Sequence, residues 1–597
     1  MTSAARHFRA RAWLAVFALL AAARFATIAT DAWHWDEVLL TDAVAHGIDL
    51  RVHRPHPPGY PLLVEVAALV HGAGVDPYRS LALVGAVGGI LAAAALAAFL
   101  AAAGLGADFA CLGGLLYAVV PSVWLFGVRG FSDAPAAAAV FASAALLLTA
   151  AERRSPARAA AGFVVAAAAA GLRPQSAVAL VPLGIWAALS CARAGPRART
   201  LLLAGLGGAA LLSAAVWLPA VRGSGGFAPF REQLVIQAAD LRRSSVLSAK
   251  DLLSSALWRR WLVDPFGSNA LFAAVGATAA AGALLRRHTA SRILLLVLPW
   301  ALVNVPVSTL YGAPRYAALL LGGVAGLAAC GLAALKSRAP RLGALASVAL
   351  VAGCAWVAVP PVATASAPSP SASAVRAASR PPYDRGTLVH DPELRMHVSR
   401  FLPVRAQSEI APDRAVAAAE GDVVLTADRR VEGLLHERAF GRPDPLLARI
   451  SLGFLLETRI GVAPARISVG LRPGGSETEV VRYDASIPVA VDAPTDGAAL
   501  TGTLDVRGWC QLRGGGEVEP VEFRVDGILA HVLALERTPR PDVAAAIPEI
   551  GDASRAGYAA RIDASGLAAG AHGLKVTFRA ADGRRRIAPP VRFDWSP

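Results

Sequence analysis

The sequence predicts a polytopic α-helical membrane domain of about eleven helices, followed by a soluble region made of a small α/β unit and then a β-sandwich. Three observations predict it. Of 597 residues, 55% are hydrophobic and only 17% charged, against about a quarter charged in a soluble chain, and the apolar excess ends near residue 361. The short basic clusters between apolar runs all fall on one side when the N-terminus starts inside. From about residue 485 the apolar period changes to two, with short runs separated by Gly, Asp and Pro.

A span needs about 20 apolar residues, and candidate runs lie at residues 11–29, 80–102, 109–127, 134–151, 157–171, 175–192, 200–220, 269–285, 292–309, 315–335 and 341–360. The basic loops Glu152 to Arg158, Arg193 to Arg199, Arg286 to Arg292 and Lys336 to Arg341 then share the cytoplasmic side. The opposite face receives Asp31 to Glu37, Arg129 to Pro135, Gly171 to Gln175, residues 221–268 and Tyr311 to Arg315. The first apolar run follows Arg6, Arg9 and Arg11 and has a signal-peptide look, but it delivers the most polar loop of the domain and is read as a retained helix. This places the chain in a bacterial inner membrane, multi-pass, with the C-terminal domains outside. Residues 61–72 are too short to span and are expected to lie at the outer interface. Residues 231–262 are expected to form an outer amphipathic pair with Trp258 and Trp261 at headgroup level.

The predicted domains are 1–360 in the membrane, a Pro/Ser/Ala-rich linker at 361–386, an α/β unit at 387–484 and the sandwich at 485–597. The sandwich is expected to be structural, with Trp509 in its core, and acceptor or glycan binding is the alternative role of the domain. The net charge of +15 sits in the loop clusters rather than in a basic stripe with interleaved aromatics, which excludes nucleic acid as a partner. Cys111, Cys191, Cys330 and Cys354 lie in apolar runs and Cys510 stands alone, so no disulfide framework exists.

Candidate chemistry gathers on the outer face. Asp36 and Glu37 follow the first helix, in Asp31-Ala32-Trp33-His34-Trp35-Asp36-Glu37, and Asp133 follows Gly130-Phe131-Ser132. Each acid alone would pass for a helix N-cap. Together with Arg129, Arg173 and Arg315 they give one face acids to activate a nucleophile and cations to hold a phosphate. His34, His53 and His56 form no compact ligand motif, so no metal ligand is assigned. Asp36, Glu37 and Asp133 leave a divalent cation open, and no other cofactor is expected.

The order Asp36-Glu37, Pro57-Pro58-Gly59-Tyr60-Pro61-Leu62, Ser132-Asp133-Ala134-Pro135, Gly171-Leu172-Arg173-Pro174 and Pro314-Arg315-Tyr316 resembles the GT-C class of membrane glycosyltransferases. Among these it is most like the bacterial aminoarabinose transferases, the protein O-mannosyltransferases and the RgtA/B/C/D-like group. The resemblance covers about residues 10–360. It implies a polyprenyl-phosphate-sugar donor, an envelope glycan, lipid or protein acceptor, and an inverting displacement with Asp36 as base beside Glu37 and Asp133. Substrate and phosphate contacts would come from Arg54, His56, Tyr60, Arg129, Arg173, Arg315 and Tyr316. Where the aminoarabinose transferases carry Lys before Pro-Pro, this chain has His56, and Arg54 could substitute in holding phosphate. Arg507-Gly508-Trp509, Val525-Asp526-Gly527 and Gly570-Ala571-His572 resemble bacterial Ig-like modules. The alternative is a transporter or flippase of lipid-linked glycans. That class places charge near the bilayer midplane in repeated halves, and here the charge clusters at one face with no visible repeat.

Overall fold

The computed structural model describes residues 3–244, 258–307, 313–380, 388–390, 394, 397–398, 407–409, 423–427, 435–441, 457–458, 461–462, 466–471, 487–495, 497–512, 516–525, 528–547, 553–581, 585–588 and 591–596. The chain divides into two compact units, one of residues 1–373 with 441–465 and one of 374–440 with 466–597.

The first unit is helical. Its opening elements are α1 (Ser3–Ala26), α2 (Trp35–His46), α3 (Pro61–Gly72), α4 (Pro77–Ala102), α5 (Ala107–Val119), α6 (Pro121–Gly127), α7 (Asp133–Arg153) and α8 (Pro156–Leu172). Long apolar helices follow at Pro196–Gly223, Asn269–Leu285, Arg287–Val307, Ala318–Arg338 and Pro340–Ser366. Proline opens many of them, at the turn where its missing N–H would be unpaired in any case. Among the described residues seven helices are long and apolar enough to cross a membrane, or up to nine if each bent pair is one span. The expected eleven also included α1 and α8. The first carries Arg9, Arg11 and Arg24, and the second has 17 residues.

Ion pairs sort the helix ends into two sets. Arg9 meets Asp108, Arg292 meets Glu152, and the Arg292 Nη1 donates to the Ala103 carbonyl at 2.9 Å. Those residues belong to loops expected on the inner side. The other ends carry the candidate site. Close approach of backbones relies on small residues. A Cβ at Gly282 would lie 1.9 Å from the Leu327 carbonyl oxygen, and one at Gly331 would lie 2.1 Å from that of Thr278.

Residues 35–72 fold back as α2, a short 3-10 turn and α3. They bury Leu40, Val44, Leu50, Leu63 and Val64 against Leu81, Ala136 and Leu172 of α4, α7 and α8. Of the expected outer pair at 231–262, Phe227–Ser244 is a helix and residues 245–257 lie outside the described residues. Trp258 is exposed, but Trp261 is fully buried and stacks edge-on against Trp300 at 5.8 Å between centroids. It is a core residue, because a π-helical turn at Arg259–Val263 turns it inward, rather than a headgroup anchor.

Most of the expected linker is helical. The helix begun at Pro340 runs through Pro360 and Pro361 to Ser366, and Pro370–Ala378 forms another. Hydroxyls stabilise this stretch: Thr364 Oγ1 donates to the Pro360 carbonyl at 3.0 Å, and Ser366 Oγ to those of Val362 and Thr27 at 2.8 and 3.0 Å. In a Ser/Pro-rich stretch the same side chains can mark a loop or cap a helix end.

In the second unit five strands form a mixed sheet. Leu388–His390 lies between the parallel Gln407–Glu409 and Val423–Ala427, and the latter pairs antiparallel with Arg466–Leu471. The helical runs expected there lie outside the described residues. From residue 487 a four-stranded and a six-stranded sheet appear, their inner faces alternating with outer polar residues. Their shared core holds Val506, Phe523, Tyr558, Phe578, Phe593 and Trp595. Trp509 is not in that core. It packs outside it, against Val543, Ala553 and Ala556, where the short helix Pro541–Ala546 covers the sheet.

Candidate active site

The first carboxylates stand where the local sequence puts them, in the first turn of α2. His34 is the N-cap, its Nδ1 accepting the Asp36 amide at 3.0 Å. Glu37 Oε2 accepts the amides of Trp33 and His34 at 3.0 and 2.9 Å. This reciprocal cap satisfies donors that the helix leaves open. It also sends the two neighbouring acids in different directions.

Glu37 is fully buried and saturated. Arg129 grips both of its oxygens, Nε to Oε1 at 3.0 Å and Nη2 to Oε2, and the Tyr78 hydroxyl donates to Oε1 at 2.8 Å. Burial pushes the Glu37 carboxyl up, but Arg129 and these hydrogen bonds outweigh it and hold it below its ordinary value. Glu37, expected beside the base, and Arg129, expected on the donor phosphate, therefore neutralise each other and tie α2 to the turn before α7.

Asp36 faces the other way, with its side chain 22% exposed. Its Oδ2 accepts Arg315 Nη1 at 2.9 Å, and its Oδ1 lies 3.7 Å from His56 Nδ1. Arg315 continues to the second acid, its Nε 3.6 Å from Asp133 Oδ2, and Asp133 Oδ1 pairs with Arg173 Nη1 at 2.9 Å. Thus Asp36, Arg315, Asp133 and Arg173, at four separate helix ends or turns, alternate in sign. Asp133 also opens α7, where the helix end favours a negative charge. Arg315 lies over the Phe131 ring at 4.5 Å and the Tyr316 ring at 4.7 Å, and Arg173 over Tyr316 at 4.8 Å. The Tyr316 hydroxyl accepts Arg315 Nη2 at 2.9 Å.

Burial pushes the Asp36 carboxyl up, yet His56, His34 and Arg315 together hold it well below the carboxylate range. Burial lowers His34 to about 4, against the pull of Asp36. His56 is lowered too, again by burial first. With both imidazoles neutral at pH 7, Arg315 is the charge that keeps Asp36 ionised.

Tyr60 joins through His56, its hydroxyl 3.3 Å from Nε2. Gly59 and Tyr60 both have positive φ, 100° and 47°. The second is uncommon for an aromatic residue and turns the ring back toward His56. Arg54 turns elsewhere, its Nε 4.0 Å from Asp42 Oδ2. Tyr78 and Phe131 were not singled out from sequence. Their signal was a polar-tipped or aromatic ring at the end of an apolar run, beside a candidate charge.

Among the described residues no group of three or more His, Cys, Asp or Glu could hold a metal ion. Glu37 is turned to Arg129, and the positive charge that a divalent cation would bring between Asp36 and Asp133 is supplied by Arg315.

Comparison with known proteins follows the division of the chain. A family of bacterial Ig domains matches residues 488–576, within the sandwich. No curated protein matches the chain. Among solved structures it is similar to the oligosaccharyltransferase of Archaeoglobus fulgidus, at 12% identity and TM-score 0.44, covering 70% of this chain and 69% of that one. It is similar to ArnT from Cupriavidus metallidurans bound to undecaprenyl phosphate, at 13% identity and TM-score 0.44, covering 70% and 93%. It is similar to the arabinofuranosyltransferase AftD from Mycobacteria, at 16% identity and TM-score 0.43, covering 82% of this chain and 43% of that one.

Proposed function

We propose that this chain is a membrane glycosyltransferase that moves a sugar from a polyprenyl-phosphate-sugar donor to an envelope glycan, lipid or protein acceptor on the outer face. The observation that carries this reading is the row Asp36, Arg315, Asp133, Arg173 at one set of helix ends. It unites a partly exposed carboxylate with buried guanidinium groups. A phosphate leaving group needs positive charge rather than a general acid, and the attacking hydroxyl needs a base.

In this reading Asp36 receives the acceptor's proton at Oδ1, the oxygen not bonded to Arg315. Arg315 Nε, 3.6 Å from Asp133 Oδ2 and with no hydrogen bond among the described residues, turns from that carboxylate to donate to the departing phosphate. Arg173 holds Asp133, which holds Arg315 in turn. Glu37 and Arg129 position the loop. The donor lipid enters sideways from the membrane and leaves its head group at these residues.

Purified protein in liposomes, given a panel of polyprenyl-phosphate sugars and crude envelope acceptors, tests this. Transfer that falls about a hundredfold or more in Asp36→Asn is expected for loss of a base. Full transfer by that variant would remove Asp36 from the chemistry. Lipid-linked sugar crossing the liposome membrane, with no transfer from any donor, would replace the enzyme by a flippase.

A further inference from the structure

We propose that His56 is where the acceptor's proton comes to rest, with Asp36 as the group that passes it on; this rests on the transferase reading above. Asp36 is a weak base for a step at neutral pH, because the Arg315 guanidinium at 2.9 Å stabilises its charged form. Proton transfer is most effective when the base titrates near the working pH. Two imidazoles flank the carboxylate, His34 Nδ1 3.7 Å from Oδ2 and His56 Nδ1 3.7 Å from Oδ1. They are not equivalent. His34 Nδ1 is already the acceptor for the Asp36 amide, so protonating it would break the α2 cap. His56 Nδ1 is buried and has no hydrogen-bond partner among the described residues, and it faces the oxygen that Arg315 does not hold.

The acceptor oxygen bonds to the sugar C1. The bond from C1 to the phosphate oxygen breaks, its electron pair leaving on the phosphate. The hydroxyl proton passes by way of Asp36 Oδ1 to His56 Nδ1. Asp36 remains an anion, and the new imidazolium lies between it and the Tyr60 hydroxyl, 3.3 Å from Nε2. The charged and titratable groups facing His56 are Asp36, Arg315, His53 and Arg173, with Tyr60 at its far side. Burial lowers the imidazole first, Asp36 opposes this, and the three cationic or basic neighbours add to it, so His56 is neutral and ready before the step.

Steady-state sugar transfer by wild type, His56→Gln and His56→Lys, from pH 4 to 9, decides the matter. Wild-type kcat is expected to show an acid limb below pH 6.5. His56→Gln is expected to lower kcat about 10²–10⁴-fold with the donor KM within about threefold, and to abolish the limb. The lysine, a cation that can hold phosphate but is already protonated, is expected not to restore kcat. Recovery by His56→Lys would overturn the proposal in favour of a phosphate contact. Wild-type kcat in His56→Gln, or no acid limb in the wild type, would overturn it outright, and the second needs no variant to fold. A wild type that transfers nothing would instead bring down the transferase reading, and this inference with it.

Discussion

Arg315 holds two acids at once, and that sets the character of each residue around it. One guanidinium lies between Asp36 and Asp133, and its charge helps hold the Asp36 carboxyl below the carboxylate range. Neighbouring Glu37 shows the opposite use of the same chemistry, a charge pair closed on Arg129 and sealed by Tyr78. Adjacent residues thus divide into an acid saturated by its partners and one left partly exposed, because successive positions of a helix's first turn point about 100° apart. His34 yields a prediction at this scale. Burial holds its folded value near 4, below the ordinary 6.5. The unfolded chain therefore takes up this proton first, so stability is full above pH 6.5 and falls as pH drops toward 4. Thermal unfolding in detergent across this range is expected to show the slope. His34→Asn, which caps without titrating, is expected to flatten it to the part contributed by His56. An unchanged slope would assign the effect elsewhere.

Several helices in the first unit approach backbone to backbone at glycines. Gly282 and Gly331 let Asn269–Leu285 and Ala318–Arg338 meet carbonyl to Cα, and Gly114 does the same for α5 on α4, where a Cβ would lie 2.3 Å from the Ala93 carbonyl oxygen. A methyl group there displaces a main chain, which cannot yield as a side chain does. Gly282→Ala and Gly331→Ala are each expected to destabilise by about 1–3 kcal/mol or more, read as a lower Tm in detergent. Gly207→Ala, inside the helix Pro196–Gly223 with nothing within 4 Å of its Cβ, serves as the control and is expected to hold or raise Tm, since alanine favours the helix. In α1, Arg24 is fully buried, its Nη2 donating to the Ala118 carbonyl at 2.8 Å. Gly89 and Gly127 leave the room its guanidinium occupies, since a Cβ at either would lie 2.4 Å from Nη1.

At the scale of the whole molecule, the two units are built on different periods and are stabilised separately. The sandwich has its own core and matches a bacterial Ig domain over most of its length, with the strand Val591–Ser596 completing it beyond the match. Residues 485–597 expressed alone are expected to unfold cooperatively in urea. Trp595→Ala is expected to cost about 3–5 kcal/mol, as for a large aromatic removed from a core, whereas Trp509→Ala, outside that core, is expected to cost less than half as much. Equal losses would mean that the satellite cluster under Pro541–Ala546 carries the domain.

The sequence by itself determined the class of each region, since hydropathy and period are local properties. Most apolar runs became helices close to their expected ends, and the alternating runs after 485 became strands. It also marked the candidate residues, because charge and aromatic groups in an apolar chain stand out one by one. Only the tertiary structure decided which of them lie together. That Asp36 meets Arg315 across 279 positions of sequence, that Glu37 and Arg129 cancel, that Arg54 turns to Asp42, and that Trp595 rather than Trp509 fills the sandwich core depend on how distant segments pack. Pairing energy falls off within a few ångströms, and no local pattern encodes a distance between residues so far apart in the chain.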